Sequence, residues 1–271
     1  MLRTARRTAR RGVFFSLTGF ALAGCGFFSR VPGTAAPRPA EPKPIERRLA
    51  APSLPPDSAG RAVLRAAGKV RGRKILVSTE DRWLWYVSGR DTLMSAPVAV
   101  GMGKDFTFQG KRWHFSTPRG RRKVVQKRPN PIWTVPEWHY YERSSQEGLE
   151  LVKMVPGRRY TLSDGTYLIV RGTQVGRVNQ FGNFWAINPG IEIIFDKKLF
   201  VPPNNSAQRR VPDALGPYKL DMGDGYLIHG THIYNEESIG QAVSHGCVRM
   251  MNQDVTKLYA IVPVGTPVFI F

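Results

Sequence analysis

From Lys74 to Phe271 the chain is a series of short β-favouring runs, broken every few residues by glycine, proline or an Asp-Gly pair. That punctuation constrains the fold more than any other feature, because long helices need uninterrupted stretches and strands do not. Ile75-Leu76-Val77-Ser78 and Trp83-Leu84-Trp85-Tyr86-Val87 flank Glu80-Asp81, which predicts a hairpin. Further strands are expected at Ala96–Val100, Lys123–Gln126, Tyr160–Leu162, Tyr167–Val170, Ile191–Phe195, Tyr226–His229 and Val268–Phe271. Asp164-Gly165 and Asp224-Gly225 are hairpin-turn signals. The expectation is a mainly β domain, sandwich or barrel-like, with few short helices. One helix is expected near 252–262: Asn252 would cap it, Val255, Leu258, Tyr259 and Val262 share a face, and Pro263 stops it.

The N-terminal quarter has a different texture. The whole chain carries a net charge of +20, but residues 1–74 hold 16 Lys or Arg against 3 acids, whereas 75–271 hold 24 against 17. Most of the excess therefore precedes the β-rich region, which argues against nucleic acid as a partner. Arg3, Arg6, Arg7, Arg10 and Arg11 precede an uncharged, largely apolar run from Gly12 to Gly24. That is the arrangement of an export signal, and the run is too short to span a bilayer. It ends in Leu22-Ala23-Gly24-Cys25, which resembles the lipobox of bacterial lipoproteins. The resemblance implies removal of residues 1–24, lipidation of Cys25, and anchoring on the periplasmic side of a bacterial membrane. Gly26, not aspartate, follows the cysteine, which favours the outer membrane. The alternative is a plain cleaved signal, and Arg10-Arg11 leaves twin-arginine export open beside the general route. Residues 25–73 are expected to be a Pro/Ala-rich basic tether, with eight prolines between Val31 and Gly60. Residues 61–72 either continue that tether or form a short helix.

The two cysteines, Cys25 and Cys247, cannot build a disulfide framework or a four-cysteine zinc site. Cys247 lies in Ser244-His245-Gly246-Cys247-Val248-Arg249-Met250, beside a histidine, an arginine and a glycine that lets backbone amides converge. A second histidine, His229, ends the strand expected eighteen residues upstream. Thiol catalysis needs a thiolate, a base and donors aimed at the developing oxyanion, and sequence distance alone does not bring the two side chains together.

Ile228-His229-Gly230-Thr231, then Ile239-Gly240, then Ser244–Met250 resemble the signature of the L,D-transpeptidase catalytic domain, the YkuD family. Thr117-Pro118-Arg119-Gly120, Asn130-Pro131-Ile132-Trp133, Leu215–Leu220 and Pro263–Val268 extend the likeness, which covers about 74–271. It implies a β-rich domain acting on peptidoglycan stem peptides without cofactor or metal. Cys247 would be the nucleophile and His229 the proton acceptor and donor, oriented by the carbonyl of Gly230. The amides of His245, Gly246 and Cys247 would form the oxyanion hole, with Arg249 and Ser244 toward substrate. A thioester at the diamino acid of a tetrapeptide, formed with release of D-alanine, would pass to an amine. That amine belongs to a second stem (a 3–3 cross-link) or to a wall-anchored protein. Water as acceptor would make the chain an L,D-carboxypeptidase, and an inactive wall-binding module is the remote alternative. Residues 137–210 exceed the minimal domain and are expected to be an inserted β-rich lid or subdomain.

Other assemblies of these residues are weaker. His229, His232, His245 and Cys247 match no zinc spacing. Arg119, Arg121, Arg122, Lys123, Lys127 and Arg128 are a solvated basic face, or a surface for anionic wall polymer or phospholipid. Trp133, Trp138, Tyr140 and Tyr141 are core or lid residues, or a substrate-facing wall.

Overall fold

Ten strands form the main sheet of the computed structural model, which describes residues 57–271 with Pro52 and Pro55. The expected signal, Cys25 and most of the tether lie outside the described residues. In chain order the strands are β1 (Arg73–Ser78), β2 (Trp83–Ser88), β3 (Asp91–Gly101), β4 (Gly120–Lys123), β5 (Gln126–Pro129), β6 (Tyr218–Asp221), β7 (Leu227–His229), β8 (Ala242–Ser244), β9 (Val248–Met250) and β10 (Pro267–Ile270). They lie in the order β4-β10-β1-β2-β3-β9-β7-β6-β5, with β8 also on β3.

The apolar runs of the first hairpin do not alternate because both faces of the sheet are covered. Ile75 pairs with Tyr86 and Val77 with Leu84, and these four enter a core shared with Val98, Ile228, Val248, Met250 and Val268. Leu76 pairs with Trp85 and Ser78 with Trp83; Leu76, Trp83 and Trp85 face outward into a second core with Phe269 and Phe271. That outer core is roofed by helix α1 (Ser58–Gly68) through Val63, Leu64 and Ala67. Of the two readings open for 61–72, the helix holds. Asp57 caps it, accepting from the Gly60 N–H at 2.7 Å, and pairs with Arg119 at 2.5 Å. Six of the sixteen early basic residues, Arg61 to Lys74, therefore belong to the folded unit and not to a tether.

The strand expected at Lys123–Gln126 is split. The Val124 N–H donates to Thr266 on one side, while the Val125 N–H donates to Asp221 on the other. The chain thus passes directly from β4, at one end of the sheet, to β5, at the other. Two residues bridge the two ends, so the sheet curls on itself around the inner core. Helix α3 (Asn252–Ile261) plugs that core with Val255 and Leu258. Met251, not Asn252, occupies its N-cap position, and no side chain caps it. The Asn252 carboxamide turns instead to the backbone beside His229.

The 137–210 stretch opens with a helix that its aromatic residues did not advertise, α2 (Glu137–Glu147), closed by Gly148 at φ 62°. Beyond it, Tyr160–Thr161, Tyr167–Arg171, Gln174–Val178 and Phe184–Ala186 form a four-stranded antiparallel sheet. Glu150–Lys153, Ile193–Phe195 and Lys198–Val201 form a three-stranded one. The two enclose their own core, including Leu168, Val170, Val175 and Phe200. The stretch returns to its starting point: the Val135 N–H donates to Arg209 at 2.8 Å, and the buried Arg209 Nη1 donates to Val135 at 3.0 Å.

Candidate active site

β8 runs parallel to the C-terminal end of β3, the chain turns over His245–Cys247, and it returns along β3 antiparallel as β9. β9 in turn lies parallel to β7, pairing Ile228 with Val248 and His229 with Arg249. With side chains alternating along a strand, His229, Arg249 and Cys247 project to one side of the sheet, while Ile228 and Val248 enter the inner core. The topology therefore brings the expected nucleophile and base to adjacent strands.

His229 is buried, and its Nδ1 lies 2.5 Å from the carbonyl of Gly230. Burial lowers its pKa to about 4, assisted by the charge of Arg249 and opposed by the carbonyls of Gly230 and Leu215. The ring is neutral at physiological pH and can take up a proton. Cys247 is partly exposed, and its thiol contacts the carbonyl of Gly225 at 3.9 Å, not His229. Burial also raises the thiol pKa, against the lowering effects of the Leu227 N–H and Arg249. Burial thus favours the uncharged form of both groups, a thiol and a neutral imidazole.

Two features hold the turn. Gly246 has φ +126°, and a Cβ there would come 2.9 Å from Tyr226 Cε1 and 3.0 Å from the Ser116 carbonyl oxygen. Only glycine fits. Ser244 is 1 % exposed; its hydroxyl donates to the Cys247 carbonyl at 2.6 Å and accepts from the Gly246 N–H at 3.1 Å. Ser244 thus braces the turn from within, and one of the three amides expected in the oxyanion hole already has a partner.

The base is braced from behind. Asn252 Oδ1 accepts the Thr231 N–H at 2.9 Å, and added Cβ atoms at Gly216 or Gly230 would each come within 2.4 Å of it. The two glycines let three segments meet behind His229.

Sequence reasoning missed Glu142, Asn252 and the placement of Arg122. His245 Nε2 lies 2.9 Å from Glu142 Oε2 on α2, with Trp138 stacked on its ring at 4.3 Å and Phe115 edge-on at 4.5 Å. Burial lowers the His245 pKa, and Glu142 opposes that. Arg122, from the basic run, points inward: Nη1 donates to Asp224 Oδ2 at 3.1 Å, and the guanidinium lies 4.8 Å over Tyr226. Nothing at these positions marks them locally in the sequence. Among the described residues no group of three or more His, Cys, Asp or Glu is placed to hold a metal ion.

The L,D-transpeptidase catalytic domain model (YkuD) matches residues 72–270. A probable L,D-transpeptidase ErfK/SrfK of Salmonella typhimurium is 45% identical over 200 residues, 73% of this chain and 44% of that protein. Probable L,D-transpeptidase YbiS of Escherichia coli K12 is 28% identical over 196 residues, 72% of this chain and 42% of that protein. The chain thus spans less than half the length of these relatives. A solved L,D-transpeptidase structure from Xylanimonas cellulosilytica aligns at TM-score 0.39 and 15% identity, covering 78% of this chain and 68% of that one. From its family match across 72–270, with the residues of that signature gathered on β7, β9 and the turn between β8 and β9, the chain belongs to the L,D-transpeptidase catalytic domain family.

Proposed function

We propose that the chain is a cysteine-dependent L,D-transpeptidase of peptidoglycan. The pairing of His229 with Arg249, two residues beyond Cys247 at the end of the β8–β9 turn, with the His229 ring held by the Gly230 carbonyl, carries this reading. The substrate is a tetrapeptide stem. Cys247 Sγ attacks the carbonyl joining the diamino acid to D-alanine, and its proton passes to His229. Apo geometry is often looser than the reacting geometry, and a thiol turn from Gly225 toward His229 closes the pair. The amides of His245 and Cys247 face the developing oxyanion. Each such donor typically contributes about 3 kcal/mol to transition-state stabilisation. The C–N bond then breaks, the leaving amine takes the proton from His229, and a thioester remains on Cys247.

An amine resolves the thioester, giving a 3–3 cross-link or attachment of a wall-anchored protein, and the thiol recovers its proton. Water in that step gives L,D-carboxypeptidase activity, the second reading favoured by the partial exposure of Cys247. Arg249 engages a substrate carboxylate, a reading supported by its pairing with His229 across the strands. Export and lipid anchoring through Cys25, on the periplasmic side and by preference at the outer membrane, complete the proposal.

Mass spectrometry tests the chemistry. Wild type should gain the mass of one carbapenem and Cys247→Ala none; an unmodified wild-type cysteine would overturn the reading. Digestion of purified muropeptides separates acceptors, since dimers, amine-exchanged products and trimmed tripeptides differ in mass.

A further inference from the structure

Exposed basic residues outside the candidate site gather along the end of α1, the entry to β1 and the outer side of β4. Residues 57–74 and 119–123 hold ten Lys or Arg against a single acid, Asp57, and Asp57 is engaged by Arg119 at 2.5 Å. Arg65, Lys69, Arg71 and Arg73 are exposed along the end of α1 and the entry to β1. Arg121 and Lys123 alternate along β4 opposite Phe269 and Pro267. Arg121 lies 5.8 Å over the Phe269 ring, in the core that α1 roofs, which puts it on the α1 side. Among the described residues Arg65, Lys69, Arg71, Arg73, Arg121 and Lys123 form no ion pair.

Two depressions flank this face. One, of about 550 Å³, has Arg119, Arg121, Lys123 and the Arg122–Asp224 pair along its wall, with Val125 and Met222 beside them. The other, of about 500 Å³, is bordered by Arg71 and Arg90 around Leu64, Val70 and Val87, with Lys74 buried and bonded to the Val70 carbonyl. Cationic rims over apolar floors suit lipid headgroups, where charged ends meet phosphate and aliphatic stems lie against the interface.

We propose that the α1 face is a docking surface for an anionic phospholipid bilayer. The path of the chain selects this occupant over a wall polymer. Asp57, at the start of α1, lies on the rim of the same face, and Cys25 lies 32 residues before it in sequence. A lipid on Cys25 would keep the domain near the bilayer at high effective concentration, and the basic side chains of this face would supply the second of the two signals that stable anchoring takes. The inference rests on the anchoring reading for its setting; its test does not use the lipid.

The test uses the mature chain, residues 25–271, carrying Cys25→Ser, with vesicles of phosphatidylglycerol mixed into phosphatidylcholine and vesicles of phosphatidylcholine alone. The protein should sediment with the anionic vesicles, not with the neutral ones, and should be released by salt. Combined Arg65→Glu, Lys69→Glu, Arg121→Glu and Lys123→Glu should weaken binding at least a thousandfold, at about 1 kcal/mol for each charge removed, while leaving the carbapenem acylation rate unchanged. If that variant fails to acylate, the corresponding Gln substitutions replace it, with a smaller loss in the same direction expected. Equal binding to both vesicle types, or undiminished binding by the variants, overturns the proposal. Binding to isolated sacculi but not to anionic vesicles also overturns it, assigning the face to wall polymer. Loss of acylation by the wild type counts against the transpeptidase reading alone.

Discussion

Glu142 Oε2 lies 2.9 Å from His245 Nε2, so a carboxylate of α2 holds the histidine of the cysteine turn. Trp138 and Glu142 stand four residues apart on α2, one stacked on the imidazole and the other bonded to it. The helix that opens the 137–210 stretch thereby fixes one side of the turn that presents Cys247. Glu142→Ala should slow carbapenem acylation by about tenfold, the cost of losing a hydrogen bond to a charged group. Glu142→Gln, which keeps an acceptor, should recover part of the rate. Because Glu142 opposes the lowering of the His245 pKa by burial, its removal should move that pKa further down in an NMR titration. An unchanged rate and titration would separate α2 from the turn.

His229 makes stability depend on pH. Its pKa is about 4 in the folded protein, against an ordinary value of 6.5, because burial disfavours the charged ring. Between those values the unfolded chain binds more protons, so stability is full above about pH 6.5 and falls as pH drops toward 4. The loss amounts to roughly 3 kcal/mol once both states are protonated. His229→Gln should therefore show a smaller fall in Tm between neutral and acid pH than wild type. A parallel fall in both proteins would place the acid sensitivity elsewhere.

The thiol predicts the opposite limb. Its pKa is raised by burial, so the acylation rate should climb with alkaline pH as thiolate forms. In His229→Gln the climb should persist while the plateau near neutral pH disappears. Stopped-flow acylation across the pH range reads both.

Ser244 joins the two halves of the turn through Gly246 N–H and the Cys247 carbonyl. Ser244→Ala leaves both groups without that partner in a buried site, at a cost of about 1–3 kcal/mol. A lower Tm together with slower acylation is the expected result. A slower rate at unchanged Tm would indicate contact with substrate.

Arg122 acts at one remove from sulfur. It pins Asp224 and covers Tyr226, which backs Gly246, while Gly225 touches the thiol. Arg122→Gln should reduce acylation by about tenfold through displacement of that wall. Its effect should fall on the maximal rate, with half-saturation by carbapenem little changed.

Much of the main sheet was legible in sequence because its determinants are local. The double-faced apolar runs at 75–78 and 83–87 pair as expected, and Asp164-Gly165 and Asp224-Gly225 lie in turns between paired strands. The break at Val124-Val125 was not legible: both valines favour strand, and only the positions of β10 and β6 divide them between two partners. Helix α2 was missed because its aromatic residues carry weak helical preference, and packing of Tyr140, Tyr141 and Ser144 overrides that. Asn252 reads as a cap by residue type, yet the Thr231 N–H captures its side chain.

The sequence by itself determined the family and the proximity of histidine, glycine and cysteine, since a contiguous signature needs no fold to be recognised. Only the tertiary structure decided what surrounds it. Glu142 meets His245 across 103 residues and Arg122 meets Asp224 across 102. Such pairings depend on strand order and on the curl that brings β4 and β5 together. Local propensity and periodicity carry no record of either.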